Sequence, residues 1–277
     1  MVGRLVVALA ICLCLSAASY GLNKQNRMEE KDTVVLLHTT EGNIKIKLYG
    51  NTPIHRDNFV THVKDGVYDS VLFHRVINEF MIQAGDPSSK TAVSGTLLGA
   101  SSTGEELTAE FVPEYFHKKG AIAAARASDA VNPEKKSSGS QFYIVTGKVY
   151  KANELVAMEK SMQNKQRQAV FGKLAEEHRT EILNLRRTRD TLGLQALQNE
   201  LIEKTEQLLA GKLFHFSPKQ KEIYATIGGT PFLDGDYTVF GEVVEGMDVV
   251  DKIQQAATDR NDRPEKDIRI LKAEIVE

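Results

Sequence analysis

Tryptophan is absent from this chain of 277 residues, which has only two cysteines and seven prolines. Both cysteines, Cys12 and Cys14, lie near the start of the sequence, and this excludes a fold stapled by disulfides. The formal charge of −2 at pH 7 excludes a global field that would attract nucleic acid or an anionic membrane. The rest of the composition, 42% hydrophobic and 26% charged, is typical of a globular protein with one large domain or two smaller ones.

The first segment of the chain has the pattern of a secretory signal. Arg4 precedes an unbroken apolar run from Leu5 to Leu15, and the small residues Ser16–Ser19 follow it. Eleven apolar residues are too few for a membrane span, which takes about 20. We therefore predict a signal peptide at 1–19 and an exported, periplasmic or secreted protein without a stable membrane span. An uncleaved anchor and a lipoprotein are the less favoured alternatives. Cleavage would leave no cysteine for redox or nucleophilic chemistry.

After a polar linker at 20–32, the sequence has the texture of short strands. Residues 33–39 and 44–49 predict two strands around a tight turn, and 44–49 alternates apolar with cationic side chains. Thr52–Pro53 predicts the start of a helix that Gly66 ends. Further short apolar stretches follow at 71–77, 80–83, 121–125, 141–146, 237–243 and 267–275. Many short strands with two or three helices indicate a closed barrel or a sandwich.

Residues 148–222 interrupt that pattern. The stretch is rich in Glu, Lys, Arg, Gln and Leu, and its apolar residues recur at helical spacing. Near its end, Ser217 and Gln220 predict a capping box. We interpret 148–222 as a helical insertion in one strand-rich domain made of 33–147 and 223–277. Two interpretations of the insertion stay open: a solvated hairpin packed on the barrel, or an arm that dimerises or grips client proteins.

Three ordered blocks of sequence carry a specific resemblance. They are YDSVLFHRVI at 68–77 with FMIQAGDP at 80–87, then GAIAAAR at 120–126 with SGSQFYIV at 138–145, then FLDGDYTVFG at 232–241. Together they resemble the cyclophilin family of peptidyl-prolyl cis/trans isomerases, in its bacterial, exported branch. The resemblance implies a mainly β fold, a closed eight-stranded antiparallel barrel with capping helices, and isomerase activity without a cofactor.

The implied reaction needs neither a nucleophile nor a metal, because no covalent bond is broken. An X–Pro amide is held planar by resonance, with a barrier of about 18–20 kcal/mol. A catalyst must grip the proline ring and stabilise the twisted amide, whose nitrogen carries a localised lone pair. Arginine suits the second task because its guanidinium is always charged and offers a fixed fork of donors.

The resemblance implies roles for individual residues. Arg75 is the catalytic arginine, and Gln83 positions both Arg75 and the substrate carbonyl. The substrate-binding set comprises His74, Phe80, Met81, Ala125, Arg126, Gln141, Tyr143, Phe232, Leu233 and Tyr237. Within that set, His74 neighbours Arg75 and is expected to support it more than to contact substrate.

Three positions depart from the best-known eukaryotic pattern of this family. Phe232 stands where a tryptophan is usual, as in bacterial relatives, and this predicts weak cyclosporin binding because the indole donor is missing. Tyr237 replaces a groove histidine. Tyr143 replaces a pocket phenylalanine, so its hydroxyl must find a partner or water.

The expected partners are unfolded or folding polypeptides with X–Pro bonds, and no nucleic acid. An alternative function stays open, that of a non-catalytic holdase or docking module using the same groove. The joint presence of Arg75, Phe80, Met81 and Gln83 favours the enzyme, since a binding module could lose the arginine. Self-association through 150–215 is a further expectation. The seven histidines are scattered and match no zinc motif, so we expect no metal site.

Overall fold

The computed structural model describes residues 32–276 of the chain. The predicted signal peptide at 1–19, and the predicted linker at 20–32 apart from its last residue, lie outside this range. Asp32 is already attached to the fold, because its Oδ1 accepts a hydrogen bond of 2.8 Å from the backbone N–H of Gly50. Every helix within 32–276 is too short or too polar to cross a bilayer.

Eight strands form one antiparallel sheet, so the mainly β prediction is confirmed. They are β1 (Thr33–Thr39), β2 (Gly42–Leu48), β3 (Arg75–Ile77), β4 (Met81–Ala84), β5 (Ala121–Ala124), β6 (Phe142–Val145), β7 (Val239–Glu245) and β8 (Ile270–Ile275). Their order across the sheet is β3-β4-β6-β5-β7-β2-β1-β8. Strands from the two ends of the described chain therefore lie side by side, since β1 pairs with both β2 and β8.

The predicted closed barrel is wrong, because the sheet is open between β3 and β8 and curls as a half-barrel. Backbone hydrogen bonds do join residues 70–73 to residues 268–270 at this seam. However, Ser70 has a φ of 68°, in the left-handed region that breaks an extended chain. Residues 65–70 form a turn, and after it Leu72 and Arg269 form an isolated bridge rather than a ladder.

The described residues also contain six α-helices. They are α1 (Pro53–Lys64), α2 (Ala152–Glu177), α3 (Arg179–Arg187), α4 (Thr191–Leu209), α5 (Pro218–Thr226) and α6 (Met247–Gln254). Proline at the first position of α1 loses no hydrogen bond there, as predicted, and the Glu110 carboxylate accepts from two N–H groups of the first turn. The predicted capping box of α5 is confirmed: Ser217 and Gln220 bond reciprocally.

Strands β5 and β6 are buried on both faces. Successive side chains of a strand point to opposite faces, so the two faces belong to two different clusters. Ile82 and Phe142 lie in the main core, which α1 and α6 cover through Phe59 and Ile253. The opposite face carries a smaller cluster that includes Met81, Ala123, Tyr143 and Val145. This second cluster underlies the candidate site.

We call residues 149–228, which contain α2 to α5, the helical segment. It enters and leaves the sheet at one point, where Lys148 and Gly229 exchange backbone hydrogen bonds of 3.3 and 3.0 Å. A side chain at Gly229 would collide with the carbonyl oxygen of His117, so this close approach requires glycine. The base of the segment is sealed by a buried cluster of Phe116, Tyr150, Leu155, Phe216 and Tyr224. Farther out, α2 and α4 pack through Leu174, Leu197 and Leu201.

Candidate active site

The hairpin of β3 and β4 places Arg75 at the edge of the sheet. The antiparallel register sets Arg75 opposite Gln83, Gln83 opposite Tyr143 on β6, and Tyr143 opposite Ala123 on β5. Residues opposite each other in a sheet share a face, so these four form one row across the sheet. The row runs from a cationic, exposed end at Arg75 to a buried, apolar end at Ala123.

A cavity of about 300 Å³ opens over this row. Ten of the twelve predicted site residues line it: His74, Arg75, Phe80, Met81, Gln83, Ala125, Arg126, Tyr143, Leu233 and Tyr237. Gln141 and Phe232 lie beside it instead of in its lining. The structure thus brings together residues from β3, β4, β6 and the loops that follow β5 and precede β7.

Arg75 reaches into the cavity from one wall. Its side chain is 42% exposed, and its Nε donates to Oδ2 of Asp262 at 3.4 Å. The guanidinium carbon also lies 6.0 Å from the centroid of the Phe80 ring. The long hydrogen bond at Nε restrains the side chain and leaves the donors of the two terminal NH₂ groups for other partners. The partner, Asp262, comes from the loop before β8.

Gln83 and Gln141 form the polar rim of the cavity. Gln83 Nε2 donates to Gln141 Oε1 at 2.9 Å, and Gln141 Nε2 donates to the carbonyl oxygens of Gly99 at 3.0 Å and Ser101 at 2.7 Å. Gln141 therefore joins β6 to the loop that bounds the cavity. The hydrogen-bonding partner of the Gln83 side chain is Gln141, and Arg75 is held by Asp262.

Aromatic rings form another part of the site. Phe232, at the position where a tryptophan is usual in the family, is 42% exposed and lies at the rim of the cavity. It stacks on Phe80, with ring centroids 5.7 Å apart. Tyr237 lies under the guanidinium of Arg126, with 4.5 Å from Cζ to the ring centroid. Arg126 is itself anchored, since its Nε donates to the backbone carbonyl of Asp236 at 2.7 Å.

The Tyr143 hydroxyl has a protein partner. It lies 3.0 Å from Nε2 of His117, whose Nδ1 lies 2.9 Å from Oδ1 of Asp234. A carboxylate oxygen only accepts, so Nδ1 of a neutral His117 carries the proton and Nε2 accepts from Tyr143. Burial raises the pKa of the Tyr143 phenol well above its ordinary value, which keeps the ring neutral on the cavity floor.

His74 is buried, with 3% of its surface exposed, and neither ring nitrogen finds a hydrogen-bond partner among the described residues. Burial lowers the pKa of His74 to about 4, although the Asp86 carboxylate acts in the opposite direction. The ring is therefore neutral at pH 7. Its position in the lining is consistent with apolar support next to Arg75.

The structure adds six lining residues that the sequence analysis missed: Thr96, Leu97, Leu98, Gly99, Asn261 and Arg263. They come from two loops, 92–99 and 255–267, that have no strand or helix periodicity. Arg263 links the two loops, because its side chain donates to the carbonyl oxygens of Val93 and Thr96. This side chain is 6% exposed. The apolar pair Leu97–Leu98 between two glycines was the one local signal. Within 32–276, His, Cys, Asp and Glu side chains form no group of three suited to a metal ion.

A family comparison decides the class of the site. The sequence model described as cyclophilin type peptidyl-prolyl cis-trans isomerase/CLD matches residues 34–206 and 219–275. The chain belongs to the cyclophilin-type peptidyl-prolyl cis-trans isomerases. The resemblance noted in the sequence is thereby confirmed, as is the enzyme class. The matched residues include most of the helical segment as well as the sheet.

Curated cyclophilin-type relatives in bacteria have similar lengths. A Staphylococcus saprophyticus protein, provisionally named a peptidyl-prolyl cis-trans isomerase, is 31% identical over 244 residues, covering 88% of this chain and 91% of its own. A Staphylococcus epidermidis protein with the same provisional name is 30% identical over 257 residues, covering 92% and 97%. Both alignments are longer than this chain without 148–222, so each includes part of that region.

Solved structures support the cyclophilin fold. A Cryptosporidium parvum cyclophilin-type isomerase is similar, with a TM-score of 0.52 and 17% identity over 89% of this chain and 99% of its own. A second structure of that protein, determined in the presence of the dipeptide Ala-Pro, has a TM-score of 0.51 and 18% identity over 88% and 99%. At this level of identity the likeness concerns the fold alone.

Proposed function

We propose that the protein accelerates rotation about X–Pro bonds in exported, folding polypeptides, with Arg75 assisting the twist of the amide over an apolar proline pocket. The family membership supports the reaction class. The observation that carries the mechanism is the row of residues across the sheet, which sets one guanidinium at the edge of an apolar floor. The cavity places the positive charge of Arg75 beside an apolar surface that excludes water from a bound proline ring.

The apolar floor serves to hold the proline ring. Met81 and Tyr143 are 2% and 3% exposed, and Phe80 and Leu233 pack against the same cluster. A ring seated there is desolvated on several sides, while the chain on either side of it continues along the open rim. Grip on the ring alone would favour neither the planar nor the twisted amide, so the differential stabilisation must come from another group.

Arg75 supplies that group in the proposed mechanism. When the amide twists, resonance is lost and the proline nitrogen becomes an acceptor for a hydrogen bond. A guanidinium already oriented by Asp262 can donate to this nitrogen without reorganising first. At the polar rim, Gln83 and Gln141 are placed to bond the substrate backbone, with Gln83 nearest to the substrate carbonyl.

Export of the enzyme is part of the proposal and rests on the signal pattern at 1–19, which lies outside the described residues. The clients are then polypeptides that fold after crossing a membrane. Self-association through 150–215 stays a prediction, which the exposed apolar residues Leu183, Leu192 and Ile202 of the helical segment support.

The test is exchange NMR of a short X–Pro peptide with the chain from Tyr20 onward. Arg75→Ala should lower kcat/KM about 100- to 1000-fold, the usual cost of removing a preorganised donor in a site of this kind. Arg75→Lys should recover little of the loss, because a single ammonium lacks the planar fork. Arg260→Ala removes an arginine from the same loop as Asp262 but outside the cavity lining, and should keep wild-type activity.

Two results would contradict this proposal in different ways. Activity retained in Arg75→Ala would remove the arginine from the mechanism and leave the enzyme class intact. A well-folded wild-type protein that binds the peptide without accelerating exchange would favour the alternative, a holdase or docking module that uses the same cavity.

A further inference from the structure

One loop supplies residues to the wall of the cavity, and its acidic side chains point away from the cavity. Residues 230–237 place Leu233 and Tyr237 in the lining. The carboxylates of Asp234 and Asp236 are 5% and 17% exposed and point away from the cavity, toward the helical segment. The proposed mechanism uses neither carboxylate. Their surroundings therefore need a separate explanation.

Asp234 accepts four hydrogen bonds. Its Oδ2 accepts from the Tyr224 hydroxyl at 2.7 Å and from Gln220 Nε2 at 3.2 Å, both on α5 of the helical segment. Its Oδ1 accepts from the backbone N–H and from Nδ1 of His117, each at 2.9 Å. A buried carboxylate with four donors holds its own position and that of its chain strongly.

The bonds continue from Asp234 to the cavity floor. His117, 1% exposed, bonds to the Tyr143 hydroxyl at 3.0 Å, and Tyr143 is a floor residue. The path from Tyr224 through Asp234 and His117 to Tyr143 is buried along its whole length. A residue of the helical segment and a residue under the proline ring thus share one network.

Asp236, two residues further along the loop, is also bonded to the helical segment. Lys165 of α2 donates to its Oδ2 at 2.6 Å, and Lys135 pairs with its other oxygen. Burial opposes ionisation, yet these two lysines lower the pKa of Asp236 below its ordinary value. The backbone carbonyl of the same residue accepts from Arg126, which covers Tyr237. The helical segment therefore holds both carboxylates of the loop.

Hydrogen bonds inside the loop shape it without attaching it. Leu233, Asp234 and Asp236 donate their backbone N–H groups to carbonyls of the loop itself. Gly235, with a φ of 77°, has no atom near the place where a side chain would be. The loop is attached to the rest of the protein through the two carboxylates, the Arg126 bond to the Asp236 carbonyl, and the backbone N–H of Thr230, which donates to the carbonyl oxygen of His117 at 2.8 Å.

We infer that the helical segment positions the proline cavity, with Tyr224 as a positioning residue that acts through Asp234 on Leu233 and, by way of His117, on Tyr143. This inference rests on the proposed function. It assigns a specificity role to the segment: α5 sets how closely the wall and floor fit a proline ring. Arg75, whose side chain is held by Asp262, is outside the network.

Tyr224→Phe tests the inference, because it removes one hydroxyl and leaves the aromatic cluster filled. KM for an X–Pro peptide should rise about 3- to 10-fold, with kcat within about twofold of wild type, because the loss concerns the fit of the ring and not the donor. Tyr150→Phe is the matched control. It removes a hydroxyl from the same buried cluster that makes no hydrogen bond to Asp234 among the described residues, and should leave both constants unchanged.

A double-mutant cycle with Tyr143→Phe tests the route. If the network carries the effect, the second change should add little to the KM of Tyr224→Phe. Full additivity, or an unchanged KM in Tyr224→Phe, would overturn the inference. A fall in kcat alone with KM unchanged would overturn it as well.

The Leu233 methyl resonances give a readout that needs no activity. They should shift in Tyr224→Phe and stay in place in Tyr150→Phe, and an absence of any such difference would contradict the positioning role. If the shift occurs in a protein that accelerates no exchange even as wild type, the proposed function fails and the positioning stands.

Discussion

A larger share of the residues is buried in the sheet of this enzyme than in its helical segment. All residues of β5 and β6 are buried, with one face in the main core and the other under the cavity. In the 26-residue α2, Leu155 and Leu174 are the buried residues, and every residue of α3 is at least partly exposed. The same strands of the sheet therefore provide both the buried core and the cavity floor. The helical segment contacts the rest of the protein mainly at its base.

This difference shows how a rigid site and an adaptable attachment can share one chain. In the sheet, Phe142 belongs to the core and its neighbour Tyr143 to the cavity floor, so the site inherits the rigidity of the core. In the helical segment, Gln220, Tyr224 and Lys165 bond to the loop at 230–237, where the helices meet it. Perturbing each region should separate the two contributions.

The largest contrast is expected between two isoleucines of equal size. Ile144→Ala, at a fully buried position of β6, should lower the free energy of unfolding by about 2–5 kcal/mol through lost burial and a residual cavity. Ile202→Ala, at a 45% exposed position of α4, should lower it by less than about 1 kcal/mol. Urea denaturation of both variants measures the difference. Equal losses would show that the two regions are equally packed.

A second contrast concerns the dependence of the free energy of unfolding on pH. Unfolded His74 takes up a proton near its ordinary pKa of 6.5, whereas burial holds the folded pKa to about 4. Between these values the unfolded state binds more protons, so stability falls as the pH falls. The loss between pH 7 and pH 4.5 should be about 2–3 kcal/mol.

His74→Phe should flatten this pH dependence, as followed by urea denaturation at several pH values. The matched control is His215→Phe, in the helical segment, where the side chain is 67% exposed. The same flattening in both variants would mean that burial at position 74 is not the cause. A wild type with no loss above pH 4.5 would contradict the lowered pKa.

The smallest effect should come from an ion pair between two helices. Arg167 on α2 donates to Glu206 on α4 at 2.8 Å, with both side chains a third or more exposed. Arg167→Met should lower the free energy of unfolding by less than about 1 kcal/mol, and added salt should shrink the difference. Lys173→Met removes a charge from α2 where no ion pair is seen within 32–276. An Arg167 effect above that of Ile144→Ala would reverse the comparison.

The strand residues of the site could be predicted because the sequence blocks that contain them resemble the cyclophilin family, whereas periodicity alone assigns them no role. Arg75, Gln83 and Tyr143 come from short apolar blocks with family-specific neighbours, and the sheet register places them in one row. Alternation alone does not say which face is the core. The structure separates them, with Met81 on the cavity side and Ile82 in the core.

The six loop residues that the sequence analysis missed could not be predicted in the same way. Leu97, Asn261 and Arg263 come from stretches without periodicity, and their positions depend on contacts between loops far apart in the chain. The partner of Tyr143 is similar, since His117 meets its hydroxyl only when β5 and β6 pair. The open seam beside β3 also escaped prediction, because the pairing of residues 70–73 with 268–270 brings together segments far apart in the chain.

The paired backbone of Lys148 and Gly229 makes the helical segment a replaceable cassette. The ends of the segment are already held together, and the entropy of closing a loop rises only with the logarithm of its length. A shorter or longer cassette that keeps the buried cluster at its base would therefore cost the sheet little in closure entropy. Exchanging it would also change the residues behind the proline cavity, so the substrate preference of the enzyme could be altered without touching a strand.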